Sequence, residues 1–228
     1  MSVQHEFSRF ADHYGNYNII QQQVAAELVA LFQMQRPQNI LDLGCGNGLV
    51  YQNIDWDIQH FVGVDFARSM LDLHPKKERI TCLHGDFNDA ALFKELQNYS
   101  LDRIVSASAL QWAKALDVTF EHVAAFDLPV AFAIFTSGTF KTLYHTASLS
   151  PLLQSSDTVI ETAHRHFTCK HTIKQYTLQF DNVQELFRYI KRSGVSGGRN
   201  VLDYKATKQL IATYPKTSLE FEVVFIWN

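Results

Sequence analysis

Five short apolar runs, "NILDL" (39–43), "HFVGV" (60–64), "RITCLH" (79–84), "DRIVSA" (102–107) and "PVAFAIF" (129–135), recur with helix-compatible segments between them. Runs this short and this continuously apolar suit strands buried on both faces, and strands that alternate with helices form a mostly parallel sheet. Ahead of them, Val24, Leu28, Leu31 and Phe32 recur at helical spacing, and Pro37 is expected to stop that helix before the first strand. The last part changes character. "IKQYTLQF" and "LEFEVVFIW" alternate like antiparallel strands, with the amphipathic helix "NVQELFRYIKRSG" between them. The expectation is an α/β chain, a single domain over 1–228, with segments near 138–160 and 181–200 capping the edge of the sheet where ligands bind.

The first run leads into "LDLGCGNG", Leu41 to Gly48, where three alternating glycines meet the end of a buried strand. Glycine there lets the backbone turn tightly and lets a ligand touch the main chain, at the strand edge where open α/β sheets bind ligands. A dinucleotide fingerprint needs a third glycine three residues after Gly46, but Leu49 stands there, which weighs against nicotinamide and flavin. Asp42, Asp65 and Asp86 put one acid at or beside the end of each of the first three strands. Asp65 lies about 20 residues past the glycine turn, the spacing at which a carboxylate can hold a ribose diol.

The net charge of −3 among 228 residues gives no global basic field, so nucleic acid is not an expected partner. No apolar run is long enough to span a bilayer, and "MSVQHEFSRF" has no apolar signal region. Three widely spaced cysteines, Cys45, Cys82 and Cys169, fit reduced thiols better than a disulfide framework. A cytoplasmic protein is expected. "HRHFTCKH" raises a zinc reading through His164, His166, Cys169 and His171, but on a strand the first two would face away from the last two, so no metal is expected.

In this order, "LDLGCGNG", "VGVDFARSML", "LHGDF" and "SALQW" resemble the class I S-adenosylmethionine-dependent methyltransferases. The resemblance implies a Rossmann-like, seven-stranded sheet with one reversed strand, and S-adenosylmethionine as cofactor with S-adenosylhomocysteine as product. It also implies that the loop of Gly44, Cys45, Gly46 and Gly48 meets the methionine part of the donor and that Asp65 holds the ribose. Phe66 and Met70 would flank the adenine, Asp86 and Phe87 would add its polar and edge contacts, and Asp42 and Ser106 complete the expected donor set.

A narrower resemblance runs through "FSRFADHYGNYNIIQQQVAAEL", "SALQWAKAL", "FTSGTFKTLYHT", "LFRYIKRSGVSGG" and "LEFEVVFIW" to the malonyl-acyl-carrier-protein O-methyltransferases of biotin synthesis. "HVAAFDLPV" departs from that family, lacking its Arg-rich, Lys-Pro-Gly-Gly turn. The likeness implies that Tyr14 closes over the donor, with Tyr17 the second choice, and that Gln111 and Trp112 wall the acceptor. Arg199 is the candidate for the malonyl carboxylate, since a guanidinium can grip it at two points. The partner implied is an acidic acyl carrier protein, met by Lys141 and by Arg188, Lys191 and Arg192, opposite the apolar stripe of Val183, Leu186, Phe187 and Ile190. No Ser-His-Asp or Cys-His arrangement is evident, and an ionised carboxylate nucleophile needs none. The alternatives are another small carboxylate, a metabolite hydroxyl with His145 or His13 as base, or a catalytically silent donor-binding protein.

Overall fold

The computed structural model describes residues 18–193 and 204–228. Its centre is a seven-stranded sheet of order β3-β2-β1-β4-β5-β7-β6. Strands β1 (Asn39–Leu43), β2 (His60–Asp65), β3 (Ile80–His84), β4 (Arg103–Ala107) and β5 (Val130–Phe135) pair in parallel. The reversed strand β7 (Ser218–Trp227) runs antiparallel to β5 and to β6 (Lys170–Gln179), so the outer ribbon pairs along its whole length. The continuous apolar runs mark the parallel strands because both sheet faces are covered there. The alternating pattern of β6 fits an edge, with its successive side chains mostly exposed.

One face carries α1 (Ile19–Ala30), whose Ile20, Val24 and Leu28 pack in one cluster with Phe135, Phe140 and Phe221. Leu186 and Tyr189 of α8 (Val183–Ser193) and Leu210 and Tyr214 of α9 (Tyr204–Thr213) belong to the same cluster. The short helices α2 (Leu49–Gln52) and α3 (Arg68–Leu73) follow β1 and β2. On the other face, α4 (Ala90–Leu96), α5 (Leu116–Ala124) and α7 (Ser156–His166) bury Phe93, Phe120, Val159 and Ala163. Phe120 stacks on Phe132 with centroids 5.5 Å apart, tying α5 to β5.

Three expectations about local structure change. Helix α1 ends at Ala30, not at Pro37: the chain runs on in turns and Arg36 reverses it in a left-handed conformation, φ 45°. "HRHFTCKH" is not one strand. Helix α7 continues through His166 because Val159, Thr162 and Ala163 share one buried face, and only His171 of the four candidate ligands lies on β6. The segment expected as a cap near 138–160 divides: α6 (Lys141–Thr146) has no buried residue, whereas α7 lies in the helix layer over the sheet. Part of the second cap segment, from Gly194 onward, lies outside the described residues.

Candidate donor and acceptor site

The loop between β1 and α2 is pinned to the neighbouring strand. The Gly44 and Cys45 N–H groups both donate to the Val64 carbonyl, at 2.8 and 2.9 Å. Gly46 N–H donates to one carboxylate oxygen of Asp65 at 2.9 Å, and Ala67 N–H donates to the other at 2.8 Å. Asp65 therefore fixes the loop and the start of α3 at once, while each oxygen keeps a lone pair for a ligand. Burial raises its pKa, against the lowering effect of these backbone donors.

Gly44 adopts φ 76°, and a Cβ there would stand 2.2 Å from the Cβ of Ala109. No other residue fits where this loop passes the end of β4. Gly48 serves packing instead: an added Cβ would meet Pro75 and the His74 ring at 2.8 and 2.9 Å, and Gly48 does not line the cavity described next.

That cavity opens beside the loop, with about 640 Å³ of space counted out through its mouth into solvent. Its wall brings together Asp42, Gly44, Cys45, Gly46, Asp65, Phe66, Met70, Phe87 and Trp112, all expected from the sequence. Asp42 is 1% exposed, and neither carboxylate oxygen has a hydrogen-bond partner. Burial, and then the Asp65 carboxylate, push its pKa well above the ordinary value. A buried carboxylate with no partner is costly unless a ligand supplies a cation or donor. The Cys45 thiol is also pushed up, by burial first and by both acids next, which favours its protonated form.

Other expected residues lie elsewhere. Ser106 is fully buried and donates its hydroxyl to the Leu43 carbonyl at 2.6 Å, clear of the cavity wall. Asp86 is also off the wall, one oxygen accepting from Asn88 N and Nδ2 at 2.9 and 2.7 Å. Gln111 turns its amide N–H to the Ser108 carbonyl at 2.7 Å, leaving Trp112 as the wall residue of that pair. His145 is exposed on α6, as is Lys141; Arg188 forms a close ion pair with Glu185. Tyr14, Tyr17, His13 and Arg199, and the side chains of Lys191 and Arg192, lie outside the described residues. His164 Nε2 is 3.1 Å from His171 Nδ1, and Cys169 Sγ is 3.8 Å from the opposite ring nitrogen of His164. The three do not converge, and no metal-holding group of three or more His, Cys, Asp or Glu occurs among the described residues.

Gln21 and Ser108 are among the wall residues that were not anticipated. Gln21 had a legible signal: it is the polar member of the buried stripe Gln21, Val24, Ala25 and Leu28 on α1. Ser108 had none, because its left-handed φ of 62° follows from how β4 ends.

Residues 40–126 match a family model described as a methyltransferase domain. The chain is 34% identical over 90 residues to the 18S rRNA (guanine-N(7))-methyltransferase RID2 of Arabidopsis thaliana, covering 39% of this chain and 30% of that protein. It is 26% identical over 152 residues to the malonyl-[acyl-carrier protein] O-methyltransferase of Bacillus cereus, covering 62% and 55%. With the enzyme of that name from Chlorobium phaeovibrioides the identity is 26% over 215 residues, covering 86% and 80%. The chain thus spans less than two thirds of the first two relatives and most of the third. Among solved structures, the YcgJ protein of Bacillus subtilis superposes with TM-score 0.60 at 14% identity, covering 89% of this chain and 98% of that one. The Haemonchus contortus phosphoethanolamine N-methyltransferase 2 in complex with S-adenosyl-L-methionine gives 0.52 at 15%, covering 88% and 51%. These two bear on the fold, which is the Rossmann-like fold of class I methyltransferases, with its reversed β7. The donor of that class is S-adenosylmethionine, with S-adenosylhomocysteine as product, and the unpartnered Asp42 and the cradle at Gly44 fit such a ligand. Residues 40–126 thus match the model of a methyltransferase domain, and the sheet built around them has the fold of the class I, S-adenosylmethionine-dependent methyltransferases.

Proposed function

We propose that this chain transfers a methyl group from S-adenosylmethionine to the free carboxylate of a malonyl thioester carried on an acyl carrier protein. The observation that supports it best is reach. The likeness to the Chlorobium phaeovibrioides enzyme runs over 86% of the chain, far beyond the matched segment 40–126, whereas that to the rRNA enzyme covers 39%.

The chemistry of the wall agrees with an acceptor that arrives ionised. Asp42, Cys45 and Asp65 are the only titratable side chains on it among the described residues. Asp65 is taken up by the loop and the donor's ribose, Asp42 by the donor's cationic end, and Cys45 is held protonated, so among the described wall residues none is left to deprotonate a hydroxyl once the donor is bound. A malonyl carboxylate, ionised at neutral pH, needs none. S-adenosylmethionine, when bound, supplies a methyl group made electrophilic by its sulfonium. The chain's own residues hold and align. Asp42 meets the donor's cationic end, Asp65 accepts from the ribose hydroxyls, and Phe66, Met70 and Phe87 give the adenine apolar surfaces. Alignment of two reactants in one cavity can be worth about 7–11 kcal/mol in well-oriented systems. The product ester masks a charge that would obstruct chain elongation, which suits an early step towards the pimeloyl part of biotin. Lys141 and the basic side of α8 are the proposed contacts for the acidic carrier.

The test is mass spectrometry of malonyl-acyl carrier protein, malonyl-coenzyme A and malonate after incubation with the protein and S-adenosylmethionine. A gain of one methyl on the carrier-bound malonyl group, lost in Asp65→Ala, is the expected result. Tight donor binding with no methylation of any malonyl compound refutes the proposal.

A further inference from the structure

Five buried side-chain N or O atoms, from four residues on the wall of this one cavity, lack a hydrogen-bond partner. Unpaired buried polar atoms are rare, and their gathering around one space points to a missing ligand. Two are the oxygens of Asp42, which belong to the donor half. The other three are Gln21 Oε1, Ser108 Oγ and Trp112 Nε1.

These three share a chemistry that differs from Asp42. The Trp112 indole N–H can only donate, the Ser108 hydroxyl can donate, and the Gln21 amide can present its NH₂ by turning end for end. A carboxylate only accepts, through about four lone pairs. Ser108 is held in a left-handed conformation that a serine adopts only under constraint. Its N–H is committed to the Ala133 carbonyl at 2.9 Å and its carbonyl to the Gln111 amide at 2.7 Å. The main chain on both sides is thus fixed while the hydroxyl is left without a partner.

We propose that Trp112 Nε1, Ser108 Oγ and the Gln21 amide form the acceptor subsite, a neutral cradle that donates hydrogen bonds to the acceptor's carboxylate. This rests on the carboxylate reading of the site. Among the described wall residues there is no Lys, Arg or His, and Asp42 and Asp65 are the charged ones. The cradle therefore attracts an anion only once the cationic donor has offset those acids, so the acceptor binds second.

The experiment uses the full chain and three variants, Ser108→Gly, Trp112→Phe and Gln21→Leu. Ser108→Gly is the sharpest, since glycine accepts the left-handed backbone and folding is not put at risk. Donor affinity is measured by calorimetry, methylation of malonyl-acyl carrier protein by mass spectrometry, and binding of malonyl-pantetheine to protein loaded with sinefungin, an unreactive adenosyl analogue that keeps the donor's positive charge, by a second calorimetric titration. Each variant is expected to keep donor affinity within about twofold and to raise the acceptor KM and Kd on the order of tenfold, as for lost hydrogen bonds to a charged group. The wild type should bind malonyl-pantetheine at least tenfold more weakly without the adenosyl ligand. Turnover with acceptor KM unchanged in Ser108→Gly and Trp112→Phe overturns the cradle and leaves the malonyl reading standing. Binding that the variants weaken, without turnover, overturns the malonyl reading and retains the cradle. Neither turnover nor binding by the wild type overturns both.

Discussion

Replacing Asp42 with asparagine keeps the shape of the side chain and removes its charge. In the folded chain that charge is buried without a partner and faces the Asp65 carboxylate in the same cavity. Leaving a buried polar group unsatisfied costs about 1–3 kcal/mol, and more when it is charged. The amide in Asp42→Asn would still be unsatisfied, so the gain is the difference between a buried charge and a buried dipole, on the order of 2 kcal/mol. For a chain of this size that raises the melting temperature by roughly 4–8 °C. The sign with pH follows from the raised pKa. Below the unfolded value, about 3.9, Asp42 is protonated in both states and the variant has little advantage. As pH rises towards the folded pKa, the unfolded chain releases its proton first and the wild type loses stability, so the gap widens and then levels off. Donor reverses the order. A ligand at 100 times its Kd stabilises by about 2.7 kcal/mol, and the variant, lacking the carboxylate proposed to meet the cationic end, should forfeit most of that. Thermal melts from the unfolded carboxylate value, about pH 4, upward through neutral pH, with and without S-adenosylhomocysteine, check both halves. An Asp42→Asn protein that melts at or below the wild type at every pH without ligand refutes the argument that this site stores strain for its donor.

Gly44→Ala should abolish donor binding and destabilise by about 1–3 kcal/mol, as overpacking does; adding Ala109→Gly should recover part of the stability, since the clash is with the Ala109 Cβ at 2.2 Å, and chemical denaturation of the single and double variants measures both. Tyr176, pushed well up by burial and by its hydrogen bond to Glu27, should stay protonated in the folded chain as pH passes about 10, so stability falls above that pH and Tyr176→Phe flattens the loss in alkaline melts. Asp117 accepts from His166 at 2.7 Å and Arg165 at 3.0 Å, which hold its pKa down, so its contribution is present above the unfolded carboxylate value and lost as pH falls through the folded one; Asp117→Asn should remove that acid limb from a stability profile. Gly138→Ala should loosen the segment between β5 and α6, because an added Cβ stands 2.5 Å from the Glu222 carboxyl carbon, and hydrogen exchange over 137–146 should rise.

The strands were legible because burial on both faces leaves uninterrupted apolar runs, and β1 to β5 begin and end within a residue or two of "NILDL", "HFVGV", "RITCLH", "DRIVSA" and "PVAFAIF". Helix ends were less so: nothing local to Ala30 announces the stop that the left-handed Arg36 completes six residues later, and a strand pattern in "HRHFTCKH" competes with a helix whose evidence is tertiary, the burial of Val159 and Ala163. In the site, the glycine loop and Asp65 carry their role in their spacing. Ser106 and Ser108 do not, since alternation along β4 cannot say where the strand stops and the backbone turns. There the hydroxyl two residues further on reaches the cavity, while Ser106 caps a carbonyl of β1. Gln111 and Trp112 are neighbours in a single turn, Leu110–Trp112, and Trp112 is the one that lines the cavity.

The glycine loop is stitched to β2 through Val64 and Asp65, inside the sheet, while Gln21 belongs to α1 and Ser108 and Trp112 follow β4. One half of the cavity is thus framework, and the other is furniture set around it by separate pieces of chain. On the proposed division of the cavity, changes on the cavity side of α1 or in the turn after β4 should exchange one methyl acceptor for another without disturbing the grip on the donor. A library confined to positions 21, 108 and 112 is accordingly the economical place to look for new acceptors on this scaffold.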